Sequence, residues 1–443
     1  MIKNDCIKPE EDGFAVGVNG DPRTEGWKEI RPVTAGMFAR GVYPTDKAFF
    51  MTFRFDLKEK VDPMALKKAW EKTTGIYPYV TYATVIRRSM LVLTQDPLDF
   101  VIRETAEVIE PSTPEANFHS VTICYLGNAL WFYVDHVTYD GTGFMKVFET
   151  FFYHYYSIQD GTEYPVPEGV HTEKDGVVPG QDIDAYLQSD PVDPGASMGA
   201  SMDQTVFELK EGRTDAVFVD KADCRGFCIS VPSGEFMNYA RSVKGSPVSV
   251  LSVCFSMALQ RVNPENALPF SFMVPVSIRK VMGNPNSLLH QVVHLIYRFD
   301  PKDLAGKTDD ELNADFRAAL KGFGSGEGIR QLAGVYRSIC EGYTKAFMYG
   351  ALDKLIMDQR KTVTGTLEVS YLGTLRTGEY GRRIRMTAFH VMPEEGVMLQ
   401  VTEVGDHFYI DWYQGFHGET YVKAMRDVLT EKGIDGVVIE RVE

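Results

Sequence analysis

The segment HVTYDG, residues 136–141, places a histidine four positions before an aspartate and a glycine. An imidazole has a pKa near neutrality, so His136 can take a proton from a hydroxyl, an amine or a thiol as that group attacks a carbonyl carbon. The chain has nine histidines, and a single histidine near a strand end is more often a hydrogen-bonded structural residue than a catalyst. The local pattern alone therefore leaves both interpretations of His136 open.

The flanking residues predict the elements that position this segment. Before it, VTICYL and ALWFYVD alternate on either side of a Gly127–Asn128 dipeptide, which predicts a β-hairpin. After it, apolar residues recur at spacings of three and four, which predicts a long helix from about residue 142. Its aromatic residues are predicted to be core, with the lining of an acyl tunnel as the alternative. Asp140 could cap this helix or hold an arginine, and Gly141 permits a tight reversal.

The rest of the chain predicts a mixed α and β protein. An aspartate and a proline open an amphipathic helix at residues 62–73. Further helices are predicted over about 233–263 and 309–357, and an amphipathic helix is predicted as the last element. Strands are predicted in KAFFMTFRFDL, in a pair over 79–94, and in CRGFCISVP, FSFMVPVSI and HQVVHLIYRF.

Two lobes of similar size follow from this alternation of elements. Residues 166–205 are dense in proline, glycine and aspartate and lack apolar periodicity, so we predict a linker there. The N-terminal lobe, with the histidine segment, is then 1–165 and the C-terminal lobe is 206–443.

Other patterns are weaker candidates for sites. His290 and His294 form HxxxH, but the surrounding residues predict a strand, in which they would lie about 13 Å apart and could not share a metal ion. Among the six cysteines, Cys224 and Cys228 lie close together, but no second pair follows, which favours reduced structural thiols. The glycine-rich residues 322–328 lack the Lys-Ser/Thr ending of a phosphate loop and favour a flexible loop.

The net charge of the chain indicates which classes of binding partner to expect. Lys and Arg number 46 against 61 Asp and Glu, a net charge of −15, so nucleic acid and anionic membranes are not expected partners. The first fourteen residues are acidic where a signal peptide would be apolar, and no run of about twenty apolar residues occurs. We expect a cytoplasmic protein.

Four stretches in order carry a resemblance to a known group. DHVTYDG, between its strand and its helix, resembles the HHxxxDG signature of the chloramphenicol acetyltransferase-like superfamily, which includes condensation domains of nonribosomal peptide synthetases and alcohol or polyketide-associated O-acyltransferases. PVSIRKVMGNPNSLLHQVV (275–293) is similar to a second-lobe stretch of the alcohol acyltransferase branch. VSYLGTL (369–375) is similar to the serine-containing strand and turn that faces its active site, and EEGVMLQVTEVGDHFYIDWYQGF (394–416) to its closing strands.

The resemblance implies an α/β fold of the two-layer α+β kind, in which two similar lobes of mixed sheet and helices form a V-shaped pseudo-dimer. It implies a central tunnel and a crossover strand near residues 363–376. It also implies acyl transfer from a thioester to a small alcohol or amine. The co-substrate would be acyl-coenzyme A or a phosphopantetheine thioester on a carrier protein, with no permanently bound cofactor and no metal.

Site residues follow by position. The resemblance makes His136 the general base, gives Asp140 a structural role in a salt bridge for which Arg279 is the candidate partner, and gives Gly141 the turn. It makes Ser370 a candidate donor to the tetrahedral oxyanion, where a well-aimed donor is worth a few kcal/mol.

One position departs from the signature. Asp135 stands where the first histidine is usual, and in a continuing strand its side chain would point to the opposite face from His136. Asp135 and Tyr139 are further candidates for substrate contact. The departure favours the acyltransferase branch and leaves two alternatives, a condensation protein acting in trans on a carrier and a non-catalytic binding relative. Relatives of this pseudo-dimeric kind are commonly monomers, so we expect a monomer.

Overall fold

The computed structural model describes residues 27–33, 50–87, 90–193, 205–209, 224–324, 326–348, 367–391 and 396–442. A five-stranded and a seven-stranded sheet each carry their own hydrophobic core, which gives two lobes. The predicted two-lobed α/β class is confirmed. Cys6, residues 194–204 of the predicted linker and residues 349–357 of the predicted helix lie outside the described residues.

The first lobe contains β1 (Glu29–Val33), β2 (Phe50–Leu57), α1 (Pro63–Ile76), β3 (Ala83–Arg87), β4 (Met90–Thr94), β5 (Ile102–Glu104), β6 (Val121–Leu126), β7 (Ala129–Asp135) and α2 (Gly141–Asp160). β2, β7, β6 and β5 are successive strands of the five-stranded sheet, and β1, β4 and β3 form a small separate sheet. α1 begins where the Asp62 carboxylate accepts the backbone N–H groups of Met64 and Ala65. The β6–β7 hairpin turns at Gly127, whose φ is +62°, as the sequence predicts.

Aromatic side chains fill the first core. Phe148 of α2 lies with its ring centroid 4.9 Å from that of Phe53 and 5.1 Å from those of Phe55 and Phe132. All four rings are fully buried. The prediction that the aromatic face of α2 is core is therefore confirmed, and this face anchors the helix whose first turn follows HVTYDG.

The second lobe contains β8 (Arg225–Pro232), α3 (Ser233–Ser242), α4 (Pro247–Val262), β9 (Phe270–Ser277), α5 (Arg279–Met282), β10 (Val292–Phe299), α6 (Pro301–Gly306), α7 (Asp309–Phe323), α8 (Gly326–Met348), β11 (Leu367–Leu375), β12 (Ile384–Val391), β13 (Val397–Val404), β14 (His407–Gln414), α9 (Thr420–Glu431) and β15 (Val438–Val442). Its sheet has the order β10–β9–β11–β13–β14–β8–β15. β11 runs parallel to β9 and β13, and the other pairs are antiparallel.

The strand that crosses between lobes is β12. It pairs antiparallel with β2 along the edge of the first-lobe sheet. β11, which occupies most of the range 363–376 where the sequence predicted the crossover, pairs instead with β9 and β13 inside the second-lobe sheet. The crossover is thus one strand later than predicted, and it joins the two lobes through main-chain hydrogen bonds.

Three further boundaries differ from the predictions. The helix predicted over 233–263 is two helices bent by 85°, because Lys244 adopts φ +48° and Ser246 caps a new helix that begins at Pro247. The glycine-rich residues 322–328 are mainly the end of α7 and the start of α8, not a loop. The last element is β15, which follows α9 and pairs with β8.

The described part of the segment after α2 is hydrogen-bonded to both lobes. The side-chain amide of Gln181 donates to the Ile76 carbonyl of α1. The main-chain carbonyl of Gln181 accepts the Leu288 N–H of the second lobe. The Tyr186 hydroxyl donates to the Val292 carbonyl, and Tyr186 is fully buried. This segment therefore packs beneath the contact between the lobes, while the boundaries 1–165, 166–205 and 206–443 stay predictions.

Within the described ranges, no single helix has the length and apolar composition to span a membrane, although the bent pair α3 and α4 meets that test when taken together.

Candidate active site at the junction of the lobes

The turn that carries His136 is closed by the residue before it. Asp135 is the last residue of β7 and is held opposite Phe50 of β2. Its carboxylate accepts the Val137 N–H at 3.2 Å and the Thr138 hydroxyl at 2.6 Å, and its carbonyl accepts the Tyr139 N–H at 3.1 Å. A short side chain that accepts main-chain N–H groups stabilises a turn. Asp135 therefore fixes the backbone that presents His136.

A hydrogen bond within the turn orients the His136 ring. Its Nδ1 lies 2.8 Å from the carbonyl oxygen of Tyr139. A carbonyl can only accept, so Nδ1 carries the proton and the lone pair of the neutral ring is on Nε2. Burial lowers the pKa of His136 below its ordinary value, against the raising effects of the Tyr139 carbonyl and the Asp140 charge. The ring is thus held in the neutral tautomer that a general base needs.

Asp140 and Arg279 form a buried ion pair across the lobes. The guanidinium donates to both carboxylate oxygens, at 2.8 and 2.9 Å. Asp140 also accepts the Gly143 N–H, which caps α2, and the Gln291 N–H, each at 2.8 Å. Burial would raise the pKa of Asp140, but the charge of Arg279 and these hydrogen bonds outweigh it and lower the pKa. With these four donors Asp140 is a structural anion.

Gly141 and Gly143 are required for close packing. The sequence assigned Gly141 to a tight reversal, but its φ is not positive. Instead, a Cβ at Gly141 would lie 2.7 Å from Leu372 of β11 and 3.4 Å from the Gln400 amide of β13. A Cβ at Gly143 would lie 2.6 Å from the Leu288 carbonyl oxygen. The start of α2 is therefore pressed against the second lobe.

A second-lobe loop, residues 284–291, completes the junction. Arg279 holds it by donating to the carbonyls of Ser287 at 2.8 Å and Leu289 at 2.6 Å. The His290 N–H then donates to the Thr138 carbonyl at 3.0 Å, inside the turn that carries His136. The arginine thus ties the loop to Asp140 and sets it on the histidine turn.

This docking brings His290 beside His136, with ring centroids 5.2 Å apart. Burial, then the neighbouring His136, lowers the pKa of His290 to about 3. His294, in β10, bonds through Nδ1 to the Tyr336 hydroxyl at 2.8 Å, and burial lowers its pKa to about 4. Sequence reasoning weighed these two histidines only as metal ligands and missed their place next to His136. Over the ranges described, no group of three His, Cys, Asp or Glu residues is arranged to hold a metal ion.

No protein-family model matches the sequence, and no curated protein matches it either. Solved structures do match it over almost the whole chain. Polyketide synthase associated protein 5 from Mycobacterium tuberculosis aligns with a TM-score of 0.61 at 13% identity, over 93% of this chain and 100% of that one. The first condensation domain of the CDA synthetase aligns with a TM-score of 0.55 at 13% identity, over 94% and 99% of the two chains. F. sporotrichioides TRI101, complexed with coenzyme A and T-2, aligns with a TM-score of 0.56 at 9% identity, over 94% and 100%.

The chain shares its fold with these solved structures. The resemblance drawn from four short stretches of sequence is confirmed at the level of the fold. At identities of 9 to 13% the likeness concerns the fold alone.

Two other predicted site residues, Ser370 and Tyr139, also lie near the junction of the lobes. Ser370 is buried on β11 and lies opposite Gln400 of β13, on the two strands that meet the start of α2. The Tyr139 side chain is fully buried and donates its hydroxyl to the Tyr79 carbonyl. Substrate contact by Tyr139 and by Asp135 stays a prediction, while the main-chain carbonyl of Tyr139 orients His136.

At the junction of the lobes, the neutral imidazole of His136 carries its lone pair on Nε2. Such a group can remove a proton from a hydroxyl, an amine or a thiol. The buried carboxylate of Asp140 is already bound by Arg279 and by two main-chain N–H groups, so it is not available as an alternative base.

Proposed function

We propose that this protein is an acyltransferase that moves an acyl group from a thioester to a small alcohol or amine, with His136 as general base. The observation that carries the proposal is the hydrogen bond from His136 Nδ1 to the Tyr139 carbonyl, since it fixes the basic tautomer at the junction of the lobes. The fold adds support, because solved structures with it include TRI101 complexed with coenzyme A and a starter condensation domain in complex with C8-CoA.

In the proposed reaction the acceptor loses its proton to His136 Nε2 as its oxygen or nitrogen bonds to the thioester carbonyl carbon. The electron pair of the C=O bond moves to the oxygen, which gives a tetrahedral intermediate. Collapse of the intermediate re-forms the C=O bond and breaks the C–S bond. The leaving sulfur takes the proton from the His136 imidazolium, so the base is regenerated.

The other residues have positioning roles in this proposal. Asp140 and Arg279 hold the second-lobe loop against the turn, and Asp135 closes the turn. Gly141 gives the second lobe its close approach to α2. Ser370 is the proposed donor to the oxyanion from β11, and acyl-coenzyme A or a carrier-bound phosphopantetheine thioester is the co-substrate.

The test is thiol release from a panel of acyl-coenzyme A thioesters, with and without a pool of small alcohols and amines. His136→Asn is the sharpest variant, because its amide can still donate to the Tyr139 carbonyl but supplies no base. We expect acceptor-dependent release from the wild type and a loss of at least about 100-fold in the variant. His407→Ala is the matched control and should leave the rate unchanged, because His407 is a partly exposed histidine at the start of β14.

A second candidate is condensation on a carrier protein in trans, which the similarity to condensation domains favours. It predicts no release from free acyl-coenzyme A but His136-dependent transfer from an acylated carrier. If neither donor is used, or if release is indifferent to His136, the acyltransferase proposal fails and a binding role for the fold is the better explanation.

A further inference from the structure

The His290 side chain is buried, and we find no hydrogen bond from its ring to the described residues. Its side chain is 3% exposed, and its Nδ1 makes no hydrogen bond within the part of the chain that the structure describes. No hydrogen bond is described for its Nε2 either. A neutral imidazole always carries one N–H, and a buried donor without an acceptor costs free energy that folding must offset elsewhere.

The surroundings of His290 are fixed although its ring is unpaired. Its backbone N–H is bonded to Thr138, and Leu289 before it forms a bridge with Tyr139. The backbone of His290 is therefore fixed to the turn that carries His136. The ring centroids of His290 and His136 are 5.2 Å apart, so a donor on His290 would be near a carbonyl that is attacked beside the proposed base.

The surroundings of the ring also favour its neutral form. Burial and the adjacent His136 lower its pKa to about 3. A neutral imidazole is a hydrogen-bond donor that does not add a second positive charge when His136 becomes protonated. Neutral histidine in this electrophilic role is known from triosephosphate isomerase.

We propose that His290 donates its ring N–H to the thioester carbonyl oxygen as that oxygen becomes negative. The assignment rests on the proposed acyl transfer. It adds His290 as a second oxyanion donor, in addition to the proposed donor Ser370. When the acceptor bonds to the carbonyl carbon, its proton goes to His136 and the C=O electron pair goes to the oxygen that His290 binds. When the C–S bond breaks, that pair returns to the carbon–oxygen bond, and the His290 proton has not been transferred at any stage.

Two substitutions separate donation from packing. His290→Phe keeps a planar ring without an N–H, whereas His290→Gln keeps an N–H donor on a flexible chain. Loss of one oxyanion donor lowers kcat by about 100- to 1000-fold, so we expect this loss in His290→Phe with little change in KM. His290→Gln should recover at least about tenfold of it. His154→Phe is the matched control, because His154 is also a buried histidine, on α2, whose Nε2 makes no hydrogen bond to the described residues and lies 3.4 Å from the Glu173 carboxylate.

The outcomes are distinct. A fall in kcat for His290→Phe that His154→Phe does not show, with partial recovery in His290→Gln, supports the assignment. A rise in KM alone, or equal effects in the two phenylalanine variants, overturns it while acyl transfer stands. A wild type without activity toward free or carrier-bound donors overturns the acyl transfer proposal and His290 with it. The pH dependence of kcat/KM should keep its acid limb in His290→Gln, since His136 sets that limb, and a shifted limb would make His290 the titrating base instead.

Discussion

Arg279→Met tests how far the junction of the lobes depends on one buried charge. The substitution keeps much of the side-chain volume but removes both hydrogen bonds to Asp140 and those to the carbonyls of Ser287 and Leu289. Asp140 would remain buried with two main-chain donors and no counter-charge. Removal of one partner of a buried ion pair costs about 3–5 kcal/mol, and we expect a loss of this size in the free energy of unfolding.

Urea denaturation with linear extrapolation measures this loss. Arg261→Met is the matched control, because Arg261 makes the same forked pair with Glu431, at 3.0 and 2.5 Å, but the two side chains are 41% and 61% exposed. Its unfolding midpoint should stay close to that of the wild type. The double variant with Asp140→Asn should be more stable than the sum of the single losses predicts, since no charge is left unpaired. Equal shifts in the two methionine variants would refute the role of burial.

Three other predictions follow from the same contacts. Gly143→Ala should lower the melting temperature, because a Cβ there would lie 2.6 Å from the Leu288 carbonyl oxygen, whereas Gly75→Ala, with no atom within 4 Å, should raise it slightly. Asp135→Ala should lower kcat with KM little changed, since the turn that carries the base loses its acceptor; an unchanged kcat would contradict this. The free energy of unfolding should fall as pH drops from 6.5 towards 3, because the unfolded chain protonates His290 at its ordinary pKa of 6.5 and the folded protein only at about 3. The slope from this group is about 1.4 kcal/mol per pH unit, and urea titrations of His290→Gln should show a shallower fall.

The local part of the site could be predicted from sequence because its signals are local. The alternation of β7, the dipeptide at Gly127 and the three-and-four spacing of α2 each report on a few neighbouring residues, so they placed His136 between a strand and a helix. Asp135 was harder. Continuing the strand by one residue would point its side chain away from His136, but the chain turns there and the carboxylate binds the turn itself.

The long-range part could not be predicted from such signals. β12 has the same alternating pattern as any half-buried strand, and nothing in IRMTAFHV indicates which sheet it joins. The position of His290 depends on a loop held by Arg279 against a turn about 150 residues earlier in the chain. Taken alone, an HxxxH pattern raises only the question of whether the two histidines bind a metal ion. Its one usable signal was its place inside the second-lobe stretch that carries Arg279.

The contacts at the junction give a reason why one ion pair is placed beside the proposed base. Asp140 caps α2 in the first lobe, and the guanidinium that neutralises it holds the second-lobe loop by two carbonyls. Arg279 therefore links the loop that carries His290 to the charge that fixes the start of the helix after His136, and the His290 N–H bonds directly to the turn at Thr138. The carbonyl that orients His136 is local, since Tyr139 belongs to the same turn. The group proposed to stabilise negative charge is not local, since it comes from the other lobe. His136 is oriented within its own lobe, and His290 lies beside it only when the two lobes are in contact. The proposed chemistry would therefore depend on the complete fold.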